Sequence, residues 1–278
     1  MMLLSLGVLI GLVLGLTGAG GSVFAVPLLM LLAGLPMTDA VGISLGAVTA
    51  STLYGSIRNA IQRGKKTSVL WKPGVVLASA GVITAPLGKW LGLHVHEWIL
   101  ISAFSALAVI IAARMWLGAT KQPNTTTIVR AGNFTHTPSP DLLCSLSKTG
   151  QFELRPRCVS GLLAGGMLVG LLSGLFGVGG GFLIVPLLLT LSSVSMAQAV
   201  GTSLVIIALI SGSGFVTHLW LSDVHNWSIL TWVATGGVIG MIIGQTISHK
   251  IANALLQKIF AVCLLAIALI TVSTKYMT

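Results

Sequence analysis

The chain has 278 residues, 55% of them hydrophobic and 7% charged, with a mean hydropathy of +1.00. A soluble domain carries roughly a quarter charged residues, so a soluble globular protein is excluded, and an all-α polytopic membrane protein with about eight passes of roughly 20 apolar residues fits the length. Fifteen Lys and Arg against five acids give a net charge of +10, and three scattered cysteines (Cys144, Cys158, Cys263) make neither a disulfide framework nor a zinc site.

The first apolar stretch runs from Met1 to about Gly34, interrupted by Thr17-Gly18-Ala19-Gly20-Gly21-Ser22. Its length suits a signal peptide, but it lacks a basic n-region and has an uncleavable counterpart later in the chain, so we expect it to be part of the fold. Apolar blocks follow at about 40–57, 70–92 and 97–118. The polar segment at about 119–157 contains Pro123, Pro138, Pro140 and three consecutive threonines, and reads as a linker. Beyond it lie 159–192, interrupted by Gly177-Val178-Gly179-Gly180-Gly181, then 197–217, 227–248 and 254–273. The expected organisation is a first transmembrane repeat at 1–118, a cytoplasmic linker at 119–157 and a second repeat at 158–278. Within the linker's frame, Cys144 and Cys158 are expected to be reduced thiols.

A shift of 159 residues aligns the two interrupted stretches, and 16 of 31 positions are identical between 15–45 and 174–204 without a gap. Glycines and a proline fall in register, which marks an internal duplication. Each half opens with an apolar piece, a glycine break and a second piece. At 1.5 Å per residue the pieces reach roughly 24 and 18 Å, short of a hydrocarbon core of about 30 Å. They form either a hairpin returning to its starting side or one bent crossing. A hairpin leaves three full crossings per half, an odd number, and inverts the second half relative to the first.

Charge arbitrates. The loop after 40–57 carries Arg58, Arg63, Lys65, Lys66 and Lys72, whereas its counterpart after 197–217 carries His218, Asp223 and His225 and no Lys or Arg. Under the hairpin arrangement 13 of the 15 bases share one side, leaving Lys89 and Lys275 on the other. The positive-inside rule therefore favours two inverted repeats, each a broken, glycine-hinged helical hairpin plus three spanning helices. Membrane orientation accounts for the basic balance, and no nucleic-acid partner is expected.

Broken backbone at membrane depth is tolerated where protein buries it or a polar cavity solvates it. Matched breaks in two inverted halves point to a transporter's central site. Glycine allows positive φ and close approach, and a helix starting just after each break, near Ser22 and near Gly181, would aim free N–H groups at an anion. The spacing of Gly18, Gly20 and Gly21, and of Gly177, Gly179 and Gly180, is not that of a helix face. By contrast Gly7, Gly11 and Gly15, their counterparts Gly166, Gly170 and Gly174, and also Gly236, Gly240 and Gly244, recur every four residues and suit tight helix packing. Pro27 and Pro186 read as local helix starts or kinks.

The doubled pattern Gly-x-Gly-Gly, Val-Pro-Leu-Leu and Ala-Val-Gly-x-Ser-Leu resembles the sulfite exporter TauE/SafE family of bacterial membrane transporters, over nearly all of the chain apart from the linker. The resemblance implies carriage of small sulfur-containing or organic anions, of the sulfite, thiosulfate or sulfonate type, across the bacterial inner membrane. The residues expected to bind substrate are Thr17, Gly18, Gly20, Gly21, Ser22 and Ser44 in the first half. In the second they are Gly177, Gly179, Gly180, Gly181, Thr202 and Ser203. Thr202 replaces Ile43, so one polar contact is expected on one side alone. The expected partners are the small anion and the lipid bilayer; no cofactor, metal or enzymatic chemistry is expected. An anion channel and a membrane-embedded enzyme are the alternatives.

Thr49, Ser51 and Thr52, and Ser211 and Ser213, share helices with the candidate residues, but hydroxyls in such places usually bond their own preceding turn. Asp39, near an apolar span, is better placed to cap the helix that starts there than to couple protons. His94-Val95-His96-Glu97 reads as a turn, and Trp220 and Trp227 as an interfacial belt.

Overall fold

The computed structural model describes residues 2–18, 20–61, 69–121, 156–191, 196–221 and 227–247, with four further positions between 262 and 266. The expected block at 254–273 and most of the linker lie outside these residues, as do Asp223 and His225. Among the described residues the structure is helical throughout. The first half comprises α1 (Met2–Thr17), a 3₁₀ turn (Gly20–Phe24), α2 (Ala25–Ala33), α3 (Met37–Ile61), α4 (Trp71–His94) and α5 (Glu97–Lys121). The second comprises α6 (Pro156–Phe176), α7 (Gly181–Leu191), α8 (Met196–Leu221) and α9 (Trp227–Ile247). Five helices (α3, α4, α6, α8 and α9) are long and apolar enough to cross a membrane, while α1 and the Gly21–Ala33 piece are shorter. Within the described residues the apolar blocks before 248 and both breaks fall where the sequence places them.

Polarity is distributed as lipid demands. All seven tryptophans are exposed, from Trp116 at 45% to Trp220 at 85%. The buried polar side chains include Ser44, Ser173, Thr202, Ser203, Ser211, His218 and Lys89. Apolar surface turned outward around a buried set of hydroxyls is what a bilayer solvent selects, and exposed helical hydroxyls such as Thr231 and Thr235 bond the preceding turn.

The halves interleave. The most extensive packing is between α1 and α9 and between α4 and α6, followed by α3 on α8 and by α4 on α8 and α9 on α3. Exchanging each helix for its counterpart 159 residues away reproduces the same set of pairs. Glycine makes the two largest seams possible. Along α1, a Cβ on Gly7, Gly11 or Gly15 would strike the backbone of Val233, Gly237 and Met241 in turn. Along α6, Gly166, Gly170 and Gly174 meet Leu77, Gly81 and Ala85 in the same way. Both pairs therefore run parallel, and the close approach replaces the hydrophobic drive that lipid removes. At the centre, Gly42 faces His218, Gly46 faces Phe215, Thr49 lies beside Gly212 and Gly55 beside Leu204. That order runs α3 and α8 antiparallel.

Two local expectations change. No side-chain cap from Asp39 stands at the start of α3. Instead the Met37 N–H donates to Glu97 Oε1 at 3.3 Å, and Asp39 lies within the first turn. Its carboxylate interacts electrostatically with the Lys89 ammonium, whose Nζ donates to the Thr38 carbonyl at 3.0 Å. Cys158, expected as a reduced thiol, is fully buried near the start of α6 and disulfide-bonded. Burial withdraws it from the reductants that keep accessible cytoplasmic thiols free.

Candidate functional site

The two breaks have different local structures. At the second, α6 ends and Gly177, Gly179 and Gly180 take φ of 68°, 69° and 67°, which L side chains rarely adopt, before α7 begins at Gly181 as expected. At the first, Gly18 has φ of 76°, but the chain then tightens into the 3₁₀ turn, and α2 begins at Ala25, not near Ser22. Thr17 causes the difference. Its Oγ1 donates to the Val13 carbonyl at 2.8 Å and accepts the Gly21 N–H at 3.0 Å, which holds the turn against the end of α1. Phe176 occupies the matching position in the second half and offers no acceptor.

Each break packs on the central helix of the other half. Gly18 lies against the Val200 side chain of α8, and a Cβ on Gly177 would come 2.7 Å from Val41 Cα of α3. Val41 and Val200 are counterparts under the duplication. The broken segments also meet each other, since that Cβ would stand 3.0 Å from Val26 Cγ2 of α2, and the 3₁₀ turn contacts α7. A Cβ on Gly179 would stand 2.8 Å from Ser211 Oγ, 3.0 Å from Val48 and 3.2 Å from Ile207. Gly179 is thus set into the crossing of α3 and α8.

The hydroxyls expected at the site are brought to it, but with partners in the protein. Ser44 Oγ donates to the Gly177 carbonyl at 2.7 Å, tying α3 to the second break. Its counterpart Ser203 instead donates to the Val200 carbonyl of its own helix at 2.8 Å. Thr202 Oγ1 accepts the Leu70 N–H at 3.0 Å, which satisfies an orphan donor where α4 begins. Ile43 offers no such acceptor, and the contact that Thr202 makes is to this backbone N–H. Ser22 is fully buried and also engaged.

Two further residues stand at the second break. Ser173 and Ser211 are fully buried, and neither hydroxyl has a hydrogen-bond partner among the described residues. Ser173 lies where a side chain on Gly180 would come 3.7 Å from its Cβ. The N–H groups of residues 178–181 likewise find no backbone acceptor among the described residues, whereas Gly177 donates to the Ser173 carbonyl at 2.8 Å. Ser211 stands out in the sequence merely as one of several helical hydroxyls. Ser173 carries no signal there at all, because its counterpart is Leu14. No group of three His, Cys, Asp or Glu able to hold a metal occurs among the described residues.

Residues 3–271 match the family described as Sulfite exporter TauE/SafE. Similar proteins include a probable membrane transporter protein of Xylella fastidiosa strain Temecula1, 28% identical over 95% of this chain and 91% of its own. Another, of Haemophilus influenzae, is 26% identical over 96% and 95% of the two chains. The probable membrane transporter protein YunE of Bacillus subtilis is 26% identical over 95% and 94%. No solved structure matches the chain.

Proposed function

The chain belongs to the sulfite exporter TauE/SafE family, and from that premise we propose that it is a secondary carrier of small anions, sulfur-containing or organic, working by alternating access in the bacterial inner membrane. Membership makes it a multi-pass membrane transporter; substrate class and mechanism are our reading. The observation that carries it is the pair of glycine breaks, each seated on the other half's central helix. An anion there would be held by N–H groups and hydroxyls with no fixed cation, so no unpaired charge is left at membrane depth when it departs.

The antiparallel course of the counterparts α3 and α8 supports an inverted arrangement of repeats 1–118 and 158–278 joined by a cytoplasmic linker. Inversion suits alternating access, because exchanging the conformations of the two halves turns an inward-open state into an outward-open one. A potential of 100 mV, negative inside, favours exit of one negative charge by about 2.3 kcal/mol, so export requires no coupling ion.

The test is flux of sulfite and thiosulfate in proteoliposomes, with and without an imposed gradient, for the wild type, Gly20→Val and Gly179→Val. Both variants are expected to insert in the membrane but to lose transport. Unchanged flux in both removes the reading.

A further inference from the structure

The duplication invites the assumption that two equivalent breaks contribute equally to substrate binding. The polar groups around them are not equivalent. At the first break Thr17 takes up the Gly21 N–H. The residue there that corresponds to Ser211 is Thr52, whose Oγ1 donates to the Val48 carbonyl at 2.7 Å. The residue corresponding to Ser173 is Leu14, which has no polar group. Every one of these positions is satisfied or apolar. At the second break Phe176 replaces the capping threonine, and the hydroxyls of Ser173 and Ser211 lie fully buried without a partner among the described residues. Ser211 Oγ is the atom nearest to where a Cβ of Gly179 would be, so the hydroxyl is directed onto the broken backbone.

Buried polar atoms are almost always paired, and unpaired donors gathered at a helix N-terminus call for an acceptor from outside the chain. We propose that the second break is the ligand site, with Ser173 and Ser211 donating to oxygen atoms of a small oxyanion that also meets the N–H groups at Gly179 and Gly180. The first break is its self-satisfied structural partner. Ser44, by holding the Gly177 carbonyl, turns that acceptor away from the anion. This assignment rests on the anion-carrier reading and narrows it from two breaks to one.

The experiment follows thermal unfolding of the purified full chain in detergent as sulfite, thiosulfate or chloride is titrated. It compares the wild type with Ser173→Ala, Ser211→Ala, the double variant and Thr52→Val. The wild type is expected to be stabilised by sulfite or thiosulfate and not by chloride. Ser211→Ala and the double variant are expected to lower that apparent affinity at least tenfold while their unliganded midpoints hold or rise, since each loses an unpaired hydroxyl. Thr52→Val is expected to keep affinity within twofold. If the double variant binds as the wild type does, or if Thr52→Val weakens binding as much as Ser211→Ala, the assignment falls and the carrier reading stands. If the wild type responds to neither sulfur oxyanion, the assignment falls, while the carrier reading is decided by the flux measurement.

Discussion

Ser44 and Ser203 are identical in type, occupy matching positions and are both fully buried, yet they do different things. Ser44 reaches across to the Gly177 carbonyl, a contact between residues 133 apart in the chain. Ser203 bonds within its own helix, to a carbonyl that keeps its place in the helical ladder. Removing the first hydroxyl strands a buried acceptor, which costs about 1–3 kcal/mol; removing the second strands none. Ser44→Ala is therefore expected to lower the thermal midpoint clearly, and Ser203→Ala to move it little, by differential scanning fluorimetry of the purified protein. Equal shifts would mean that the Ser44 bond contributes nothing to holding α3 against the break. The sequence pairs these serines correctly through the duplication but cannot separate them, because the difference lies in which neighbour each side chain meets.

The same holds for glycine at the scale of the element. The four-residue spacing in α1, α6 and α9 makes tight seams legible in the sequence, but not the partner of each seam. The apolar pattern is silent on this because lipid and protein neighbours select the same side chains on most faces. The structure supplies the partner: α1 lies on α9 and α6 on α4, so each half closes over the other. It also splits Gly42 from Gly201, which the duplication equates. A Cβ on Gly42 would run into the His218 ring, whereas one on Gly201 meets nothing within 4 Å among the described residues. Gly201→Ala is expected to be neutral or to stabilise by up to about 1 kcal/mol through helix propensity. Gly42→Ala should destabilise by about 1–3 kcal/mol through overpacking, with both effects read from thermal unfolding and from yield after detergent extraction. A destabilised Gly201→Ala would mean that α8 has another neighbour at that point. The glycine breaks were readable for a different reason, since positive φ leaves few alternatives to glycine. Their unequal capping was less so, because it depends on what Thr17 and Phe176 touch.

For the whole molecule the decisive question is which side each helix end faces. Seam order settles relative direction within the bundle: α1 runs parallel to α9, α9 parallel to α3, and α3 antiparallel to α8. Two matching positions, Ile61 at the end of α3 and Trp220 near the end of α8, are 77% and 85% exposed, so neither is covered by the described residues. If the halves are inverted, these counterparts emerge on opposite sides of the membrane. The charge pattern orients the pair, since Arg58 stands in the last turn of α3 while the last turn of α8 has a histidine and no Lys or Arg. Single cysteines replacing Ile61 and Trp220, in a chain whose Cys144, Cys158 and Cys263 are all changed to serine, can be tested in intact bacteria with a membrane-impermeant maleimide. The Trp220→Cys thiol is expected to label from outside, and the Ile61→Cys thiol to label once the membrane is permeabilised. Labelling of both before permeabilisation, or of neither, would place the counterparts on one side. Two parallel halves would then have to be fitted to helices that pack antiparallel, and alternating access would lose the symmetry on which it is argued.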